Sequence, residues 1–322
     1  MKTRQQLPLR RTYYAAYSCV LFAFVSLIAA CEVPDRETDL SATTTRGQVE
    51  LREVWSLDEG LDWPESALYD ADRGLIYVSN IGGDPSAKDG NGYISTVSPE
   101  GDILEEQWAT GMNAPKGLAL DGGTLYVSDI DELVAIDTET GEITGRYPAE
   151  GAQFLNDVAA ANGVVYVTDS GTGRIHRLEG DSFTVWVDDP RIQSPNGIYV
   201  VDGEIVVAAA DSSAAEPGQE RYLWTISPDG TELEPLGGTT PLGGLDAVEP
   251  DGQGGFFLSD WGGAIVMHFT PGDSARTLVE VSQGTADFDY VAESGMLYLP
   301  VMVAGRLIAY EATWGSESNG MQ

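Results

Sequence analysis

Cysteine, histidine and basic residues are scarce in this chain of 322 residues, which has only two cysteines and two histidines. Cys19 lies inside an apolar N-terminal run, so the part of the chain that folds has no disulfide to stabilise it. The histidines are His176 and His268, and we expect both on strand surfaces, away from any reaction centre. A serine–histidine hydrolase mechanism is therefore not expected.

Basic residues are outnumbered three to one, with 17 Lys and Arg against 51 Asp and Glu, giving a net charge of -34. Such a surface repels nucleic acid and anionic lipid, so we expect no nucleic-acid partner. It is compatible with cations and with neutral or cationic small molecules. Nothing indicates an oligomer, and we expect a monomer.

The N-terminus has the layout of a signal peptide, with a basic start and an apolar run from Tyr13 to Ala30. Small residues directly precede Cys31, as in a bacterial lipobox, so we expect cleavage after residue 30 and lipidation of Cys31. The alternative is an uncleaved membrane anchor of marginal spanning length. Residues 31–47 are polar and aperiodic and predict a flexible tether. Both interpretations place the domain in the bacterial cell envelope, held at a membrane.

Helical periodicity is absent from residue 48 onward; instead, short runs rich in Val, Ile, Tyr and Leu alternate with Asp-Gly, Asn-Gly and Gly-Gly turns. Residues 154–193 form one clear unit of four strands, and similar units begin near residues 64, 115, 195, 244 and 286. The pattern predicts an all-β, six-bladed β-propeller over residues 48–312, followed by a disordered tail over 313–322. The segment 49–57 has no blade of its own and can supply the missing outer strand of the last blade.

Two of the units carry extra residues, 80–91 and 211–220, between their second and third strands. In a propeller these loops lie on the face where the innermost strands begin. They are either substrate-gating elements or tolerated insertions, and the sequence leaves both open.

Polar or charged residues recur at matching points of the repeat, with successive spacings of 51, 40, 40, 50 and 41 residues. Each lies ten to twelve residues ahead of an apolar strand signal such as Tyr126-Val127-Ser128. If the units close into a ring, these side chains converge on its axis. They are Glu65, Lys116, Asn156, Asn196, Asp246 and Asp287.

Four of these residues, Glu65, Asn156, Asn196 and Asp246, supply two carboxylates and two amide carbonyls. Two negative charges balance one divalent ion, and all-oxygen ligation favours Ca²⁺ or Mg²⁺ over zinc or copper. We therefore predict a metal site with a small-molecule substrate or ligand beside it.

At these residues the chain resembles the calcium-dependent six-bladed propellers: the gluconolactonase and regucalcin (senescence marker protein) family, diisopropyl fluorophosphatase and, more distantly, the paraoxonases. The resemblance implies that Glu65, Asn196 and Asp246 hold the metal, with Asn156 as a further ligand or substrate contact. It also implies substrate contact or proton transfer for Asp157, and a nucleophile role for Asp246. The implied reaction is Ca²⁺-assisted hydrolysis of a lactone or related ester. The chain lacks the axial histidine of paraoxonases, which disfavours an organophosphatase or arylesterase.

Lys116 departs from the family pattern, because it places an ammonium where a neutral ligand is expected. It either stabilises an anionic substrate or developing oxyanion, or replaces the metal by pairing with Glu65, Asp246 and Asp287. Asp289 is the alternative to Asp287 in the last blade. Whether the protein is an enzyme stays open at this point, since a non-catalytic propeller that binds a ligand or protein partner on the same face fits the same residues.

Aromatic side chains flank the axial positions. They either form the wall of a pocket for an apolar substrate or pack between blades. These residues are Trp63, Phe154 and Trp261.

Overall fold

The computed structural model describes residues 48–201, 203–209, 223–237 and 242–315. The expected signal peptide (1–30), the lipidated Cys31, the tether (31–47), the insertion 211–220 and residues 316–322 of the expected tail lie outside the described residues. In the described ranges, no helix is long and apolar enough to cross a membrane.

Four-stranded antiparallel sheets, six in the described residues, follow one another along the chain. After β1 (Val49–Leu57), the first sheet contains β2 (Pro64–Asp70), β3 (Leu75–Asn80), β4 (Gly92–Val97) and β5 (Ile103–Met112). The second contains β6 (Pro115–Asp121), β7 (Thr124–Asp129), β8 (Glu132–Asp137) and β9 (Ile143–Pro148). The third contains β10 (Leu155–Ala161), β11 (Val164–Asp169), β12 (Arg174–Glu179) and β13 (Ser182–Asp188).

The other three sheets repeat this order. The fourth contains β14 (Pro195–Val201), β15 (Glu204–Ala209), β16 (Leu223–Ile226) and β17 (Leu233–Leu236). The fifth contains β18 (Leu245–Pro250), β19 (Phe256–Asp260), β20 (Ile265–Phe269) and β21 (Arg276–Glu280). The sixth contains β22 (Asp289–Val291), β23 (Met296–Val301) and β24 (Arg306–Trp314), with a 3-10 helix (Met302–Ala304) between the last two.

The sheets are the blades of a closed ring. Each innermost strand contacts the innermost strand of the next blade, and β22 of the sixth blade contacts β2 of the first. The predicted six-bladed β-propeller is therefore confirmed. We call the face where the innermost strands begin the upper face; the loop from β3 to β4 lies on it, as expected for the insertion 80–91.

The N-terminal strand closes the last blade, as the sequence predicts. β1 pairs with β24 in antiparallel register from Val49 with Trp314 to Leu57 with Leu307, and the sheet order is β1-β24-β23-β22. β24 continues to Trp314, two residues beyond the expected end of the domain at residue 312. The two ends of the propeller thus share one sheet, in which β1 covers the edge that β24 would otherwise expose.

The hydrophobic core is divided into layers between neighbouring blades. Tyr77 of the first blade packs with Leu125 and Val127 of the second, and Phe257 of the fifth packs with Tyr290 of the sixth at a ring-centroid distance of 4.5 Å. Because each blade buries both faces against its neighbours, the ring must close for every layer to form. This closure places the starts of the innermost strands around one axis.

Candidate active site on the propeller axis

A β-bulge positions each of the axial side chains in the first five blades. Pairing between the first and second strands shifts by one residue just after the innermost strand begins, for example between Pro64 and Ala67 and between Pro195 and Ile198. The same shift occurs in the second, third and fifth blades. A bulge bends the strand and redirects a side chain. The residues in the first bulge position are Glu65, Lys116, Asn156, Asn196 and Asp246.

The second bulge position lies where two innermost strands approach most closely. A Cβ on Gly197 would lie 2.2 Å from the carbonyl oxygen of Asp246, and a Cβ on Gly117 would lie 2.5 Å from the Cα of Asp157. Side chains therefore do not fit at these two positions. The glycines bring the neighbouring axial residues together.

Hydroxyl side chains at the ends of second strands hold the bulges in place. Ser79 Oγ accepts a hydrogen bond of 2.9 Å from the N–H of Ser66. Ser259 Oγ accepts one of 2.8 Å from the N–H of Ala247 and donates one of 3.1 Å to the carbonyl of Ala286 in the next blade. Ser or Thr of the strand signals thus fastens the bulge in the first, third and fifth blades.

The upper cavity is an open space of about 870 Å³ on the axis at the upper face. The five axial residues of the first five blades lie on its floor. The structure therefore brings together all four predicted metal ligands and Lys116. Its wall is formed mainly by apolar side chains from the surrounding loops; these are Trp63, Ile81, Pro85, Phe154, Trp261, Met302 and Val303.

Glu65 is the most poorly compensated group of the floor. It is 4 % exposed, and its Oε2 atom has no hydrogen-bond partner among the described residues. Burial raises the pKa of Glu65 well above its usual range, and the charges of Asp246 and Asp287 raise it further. Burial also raises the pKa of Asp246 to about 8. Two buried carboxylates that repel each other favour the binding of a cation.

Both asparagine amides are oriented so that their oxygens are left for another partner. Asn196 donates from Nδ2 to Oδ1 of Asp246, and Asn156 donates from Nδ2 to Oγ of Ser170 at 3.1 Å. Ser170 in turn donates to the carbonyl of Pro195 at 2.6 Å. The bond to Ser170 is of the outer kind that orients a ligand toward a metal, and the bond from Asn196 joins two of the predicted ligands.

Lys116 is buried, at 1 % exposure, and its contacts are with a carbonyl and a ring rather than a carboxylate. Nζ donates to the carbonyl of Ala114 at 3.0 Å and lies 4.4 Å from the ring centroid of Phe154. Burial lowers the pKa of Lys116, while the charges of Glu65 and Asp129 oppose that change. The ammonium therefore stands near Glu65 without filling the cavity as a direct ion pair.

Asp157 does not line the upper cavity, so the structure separates it from the predicted metal ligands. It takes the second bulge position after Asn156, and its carboxylate accepts hydrogen bonds of 2.7 Å from the N–H groups of both Val158 and Ile198. Asp157 lines a second, lower cavity further along the axis. Its bonds connect the third blade to the fourth.

Asp287 is also displaced from the expected set. The hydroxyl of Ser259, on the second strand of the fifth blade, donates to the carbonyl of Ala286 in the next blade. The hydroxyl of Ser128, on the second strand of the second blade, donates in the same way to the carbonyl of Asn156. Ala286 is therefore the sixth axial residue, while Asp287 matches Ser66, with which it forms a bridge. Ser66 Oγ donates to Oδ2 of Asp287 at 2.6 Å.

The lower cavity, of about 260 Å³, contains four acidic side chains from three of the blades and, in its described lining, no Lys or Arg. Burial raises the pKa of Asp287 to about 7 and that of Asp289 to about 6. Asp289 Oδ2 accepts a hydrogen bond of 2.8 Å from the N–H of Tyr69. The acidic residues are Asp157, Glu249, Asp287 and Asp289.

Asp260 is a residue of the upper cavity that the sequence analysis missed. It ends β19, at the position of Asp129 in the second blade. The carboxylate of Asp129 is fully buried and accepts bonds of 2.8 Å from the N–H groups of Asn113 and Ala114, which fastens the loop before β6. Asp260 is instead 8 % exposed and faces the cavity. The repeated Ser-Asp and Thr-Asp pairs after second strands were the signal that could have found it.

Both histidines lie away from the axis, but neither is a surface residue, so that expectation is corrected. His176 is 1 % exposed, and neither ring nitrogen has a hydrogen-bond partner among the described residues. Its Nε2 lies 3.7 Å from Asp169 Oδ2, and Nε2 of the largely buried His268 lies 2.8 Å from Asp251 Oδ2. Third strands are covered on both faces because blades stack against each other.

Two residues that directly precede axial strands have left-handed backbone conformations. Trp63 has φ of 55° and Ser194 has φ of 42°. Each is followed by a proline, a context that normally favours extended backbone. For a bulky residue such as Trp63 this strain costs about 1–3 kcal/mol, and strain of this kind clusters at functional sites.

Comparison with known proteins supports the architecture. A family model described as outer membrane protein assembly factor BamB matches residues 90–218, which is less than half of the chain. No curated protein matches the chain in sequence.

Solved structures are similar over most of the propeller. A protein given the provisional name gluconolactonase has a TM-score of 0.61 at 19% identity, covering 83% of this chain and 93% of its own. A catalytically inactive virginiamycin B lyase from Staphylococcus aureus with quinupristin has a TM-score of 0.57 at 14% identity, covering 82% of this chain and 99% of its own. At such low identity the similarity supports the fold alone. The activity has to be argued from the residues of the upper cavity.

The raised pKa values of the lower cavity predict how stability depends on pH. A carboxyl group with a higher pKa in the folded chain stabilises the fold while it is protonated, and this stabilisation is lost as the pH rises through about 6 to 7. In chelator, the free energy of unfolding should therefore fall between pH 5 and pH 8. Asp289→Asn should raise it at pH 8 by about 1–3 kcal/mol and reduce the slope.

Urea titrations at several pH values measure this effect. The exposed Asp102→Asn, which removes a charge outside both cavities, is the control and should leave the pH slope unchanged. An Asp289→Asn variant whose pH slope equals that of the wild type would contradict the prediction.

Proposed function

We propose that this protein is a cell-envelope lipoprotein whose upper cavity binds Ca²⁺ and hydrolyses a lactone or a related ester. The cation would be held by oxygen atoms of Glu65, Asn156, Asn196 and Asp246. The substrate would enter from the upper face.

The observation that carries the proposal is the unpartnered Oε2 of Glu65, buried on the floor of an open cavity. Burying a carboxylate without a partner costs far more folding free energy than burying a neutral group in the same place. A divalent ion between Glu65 and Asp246 would compensate this cost and the repulsion between the two carboxylates.

The amide oxygens complete the ligand set. In the described residues, no three Asp, Glu, His or Cys side chains are arranged to hold a metal. A site here would therefore depend on Asn156 and Asn196, whose Nδ2 atoms are already bonded elsewhere. Calcium accepts such mixtures of carboxylate, amide and water oxygens.

The residues around this position suit ester hydrolysis. Bound Ca²⁺ would polarise the carbonyl oxygen and lower the pKa of a water molecule. Lys116 stands near Glu65 and is positioned to donate to the oxygen that becomes negative. The bond from Asn196 orients the Asp246 carboxylate, which would both hold the cation and accept a proton from the reacting water. The apolar wall excludes bulk water and strengthens these interactions.

The proposed location follows from the N-terminal pattern, in which small residues precede Cys31. Radiolabelled fatty acid incorporated into the wild type but not into Cys31→Ser would support lipidation. Incorporation into both would contradict it.

A non-catalytic propeller is the second candidate. The family model that matches residues 90–218 is named for an assembly factor rather than an enzyme, and a ligand could occupy the upper cavity without reacting. This alternative requires neither a metal nor a proton acceptor.

Calcium-dependent melting and lactone turnover separate the two candidates. We expect Ca²⁺ to raise the melting temperature, chelator to reverse this, and both Asn196→Ala and Asp246→Ala to abolish the shift and the hydrolysis. Asp102→Ala, an exposed substitution, is the control. A melting temperature that does not respond to Ca²⁺ would overturn the metal site, and turnover retained in both variants would show that the ligands are misassigned.

A further inference from the structure

The upper cavity is polar at its floor and apolar along its wall. Charged and amide groups are concentrated on the floor, at the first bulge positions. Above them the wall is apolar, and two of its side chains are exposed, Trp63 at 38 % and Val303 at 51 %. Five large hydrophobic residues of the described chain are exposed, and these two are the members of that group that line the cavity. Apolar groups exposed beside a cavity floor indicate contact with an apolar ligand.

The wall is rigidly built. The carbonyl of Trp63 accepts a hydrogen bond of 3.1 Å from the N–H of Ile81, so the strained residue is tied to the loop after β3. Next to Ile81, with which it packs, Met302 is fixed by its N–H, which donates to the carbonyl of Gly284 at 2.8 Å. Preformed walls lose little entropy when a ligand binds.

Groups that could bind sugar hydroxyls are few above the floor. In the described lining the side-chain groups of this kind are the indole N–H groups of Trp63 and Trp261 and the polar ends of Asp260 and Gln283. Oδ1 of Asp260 already accepts a bond of 2.8 Å from the N–H of Gly263. A polyhydroxylated substrate would leave most of its hydroxyls unpaired against Trp63, Met302 and Val303, which costs affinity. The volume of about 870 Å³ leaves room for much more than a reacting ring.

We propose that the upper cavity selects a lactone or ester that carries an extended apolar side chain, in preference to a sugar lactone. This inference rests on the proposed hydrolysis. The ester carbonyl lies on the floor, and the side chain lies along Trp63, Met302 and Val303. Water adds to the acyl carbon, the acyl–oxygen bond breaks, and the product is a hydroxy acid.

A series of δ-lactones with alkyl side chains of increasing length, compared with glucono-δ-lactone, tests the selection in the full-length protein. We expect kcat/KM to rise about fourfold per added methylene until the wall is covered. Trp63→Gly should flatten this rise, and glycine accepts the left-handed backbone, so the variant should fold. Val303→Ser should weaken it. Val185→Ser, an exposed valine of β13 outside the cavity, should leave it unchanged.

Binding measured without turnover separates this inference from the proposed reaction. Calorimetry with unreactive δ-lactams of the same chain lengths should show affinity that increases with length and is reduced in Trp63→Gly. Such binding without any lactone turnover would overturn the hydrolysis and retain apolar selection. Turnover with equal kcat/KM for alkyl and polyhydroxylated lactones would overturn the selection and retain the hydrolysis.

Discussion

Glu65→Gln should change stability in opposite directions with and without calcium. In chelator the variant should melt at a higher temperature than the wild type, because glutamine keeps the shape and removes a buried carboxyl group whose pKa is raised well above its usual range. In Ca²⁺ the order should reverse, since the variant loses one of the two carboxylates that balance the ion.

The size of the effect follows from mass action. At a calcium concentration about 100 times its Kd, the wild type gains about 2.7 kcal/mol. Loss of outer-shell partners alone costs metal sites 10–100-fold in affinity, so a lost ligand should weaken binding at least about 100-fold. The variant then gains only about 0.4 kcal/mol at the same concentration.

Melting curves of the wild type and of Glu65→Gln, recorded in chelator and in calcium, measure the difference in melting temperature under both conditions. Glu105→Gln, an exposed position on β5, provides the control and should respond to calcium as the wild type does. A Glu65→Gln variant stabilised by calcium as strongly as the wild type would remove Glu65 from the ligand set.

Lys116→Met should reduce turnover strongly while improving calcium binding. If the ammonium stabilises a developing oxyanion, its loss should lower kcat by about 10²–10³-fold, as for other donors of this kind. Removing a positive charge close to the cation should also tighten Ca²⁺ binding by about tenfold, which corresponds to about 1.4 kcal/mol. Methionine fills similar volume beside Phe154, so the fold should persist.

Steady-state kinetics and calcium titration of the same preparation distinguish the two roles considered for Lys116. Unchanged kcat would show that the lysine only packs over Phe154. Calcium binding seen in Lys116→Met and not in the wild type would show that the lysine excludes the metal. The control is Lys88→Met, because Lys88 forms an exposed ion pair with Asp131 at 2.6 Å, away from the floor.

Much of the architecture is predictable from the sequence because the repeat depends on the local backbone preferences of its residues. Turn residues and strand signals recur at a fixed register, and the β-bulge adds the same extra residue in blade after blade. Glu65, Lys116, Asn156, Asn196 and Asp246 could therefore be aligned before their positions were known.

The expected and observed positions differ where two neighbouring residues both fitted the repeat. In the last blade both Ala286 and Asp287 fit the spacing, and Asp287 was chosen as the axial residue because it is charged. The hydrogen bond from Ser259 to the carbonyl of Ala286 shows that Ala286 holds that position. Asp157 follows Asn156 directly, and no periodicity shows which of two bulge residues faces the cavity.

The burial of side chains between neighbouring blades could not be predicted from the sequence either. His176 looks like a polar residue on an outer strand, yet packing of the adjacent sheet covers it. The left-handed backbone at Trp63 is held by two tertiary bonds, which no local pattern encodes: the N–H of Asp62 donates to Oδ1 of Asn80, and the N–H of Ile81 donates to the carbonyl of Trp63.

The pairing of β1 with β24 also affects how the protein is made. Val49 meets a partner more than 250 residues away, so its sheet cannot be completed until nearly the whole domain has been synthesised. Until then β1 and β23 expose unpaired edges that invite aggregation or chaperone binding. A truncated product would keep those edges, so quality control can recognise an unfinished chain by them.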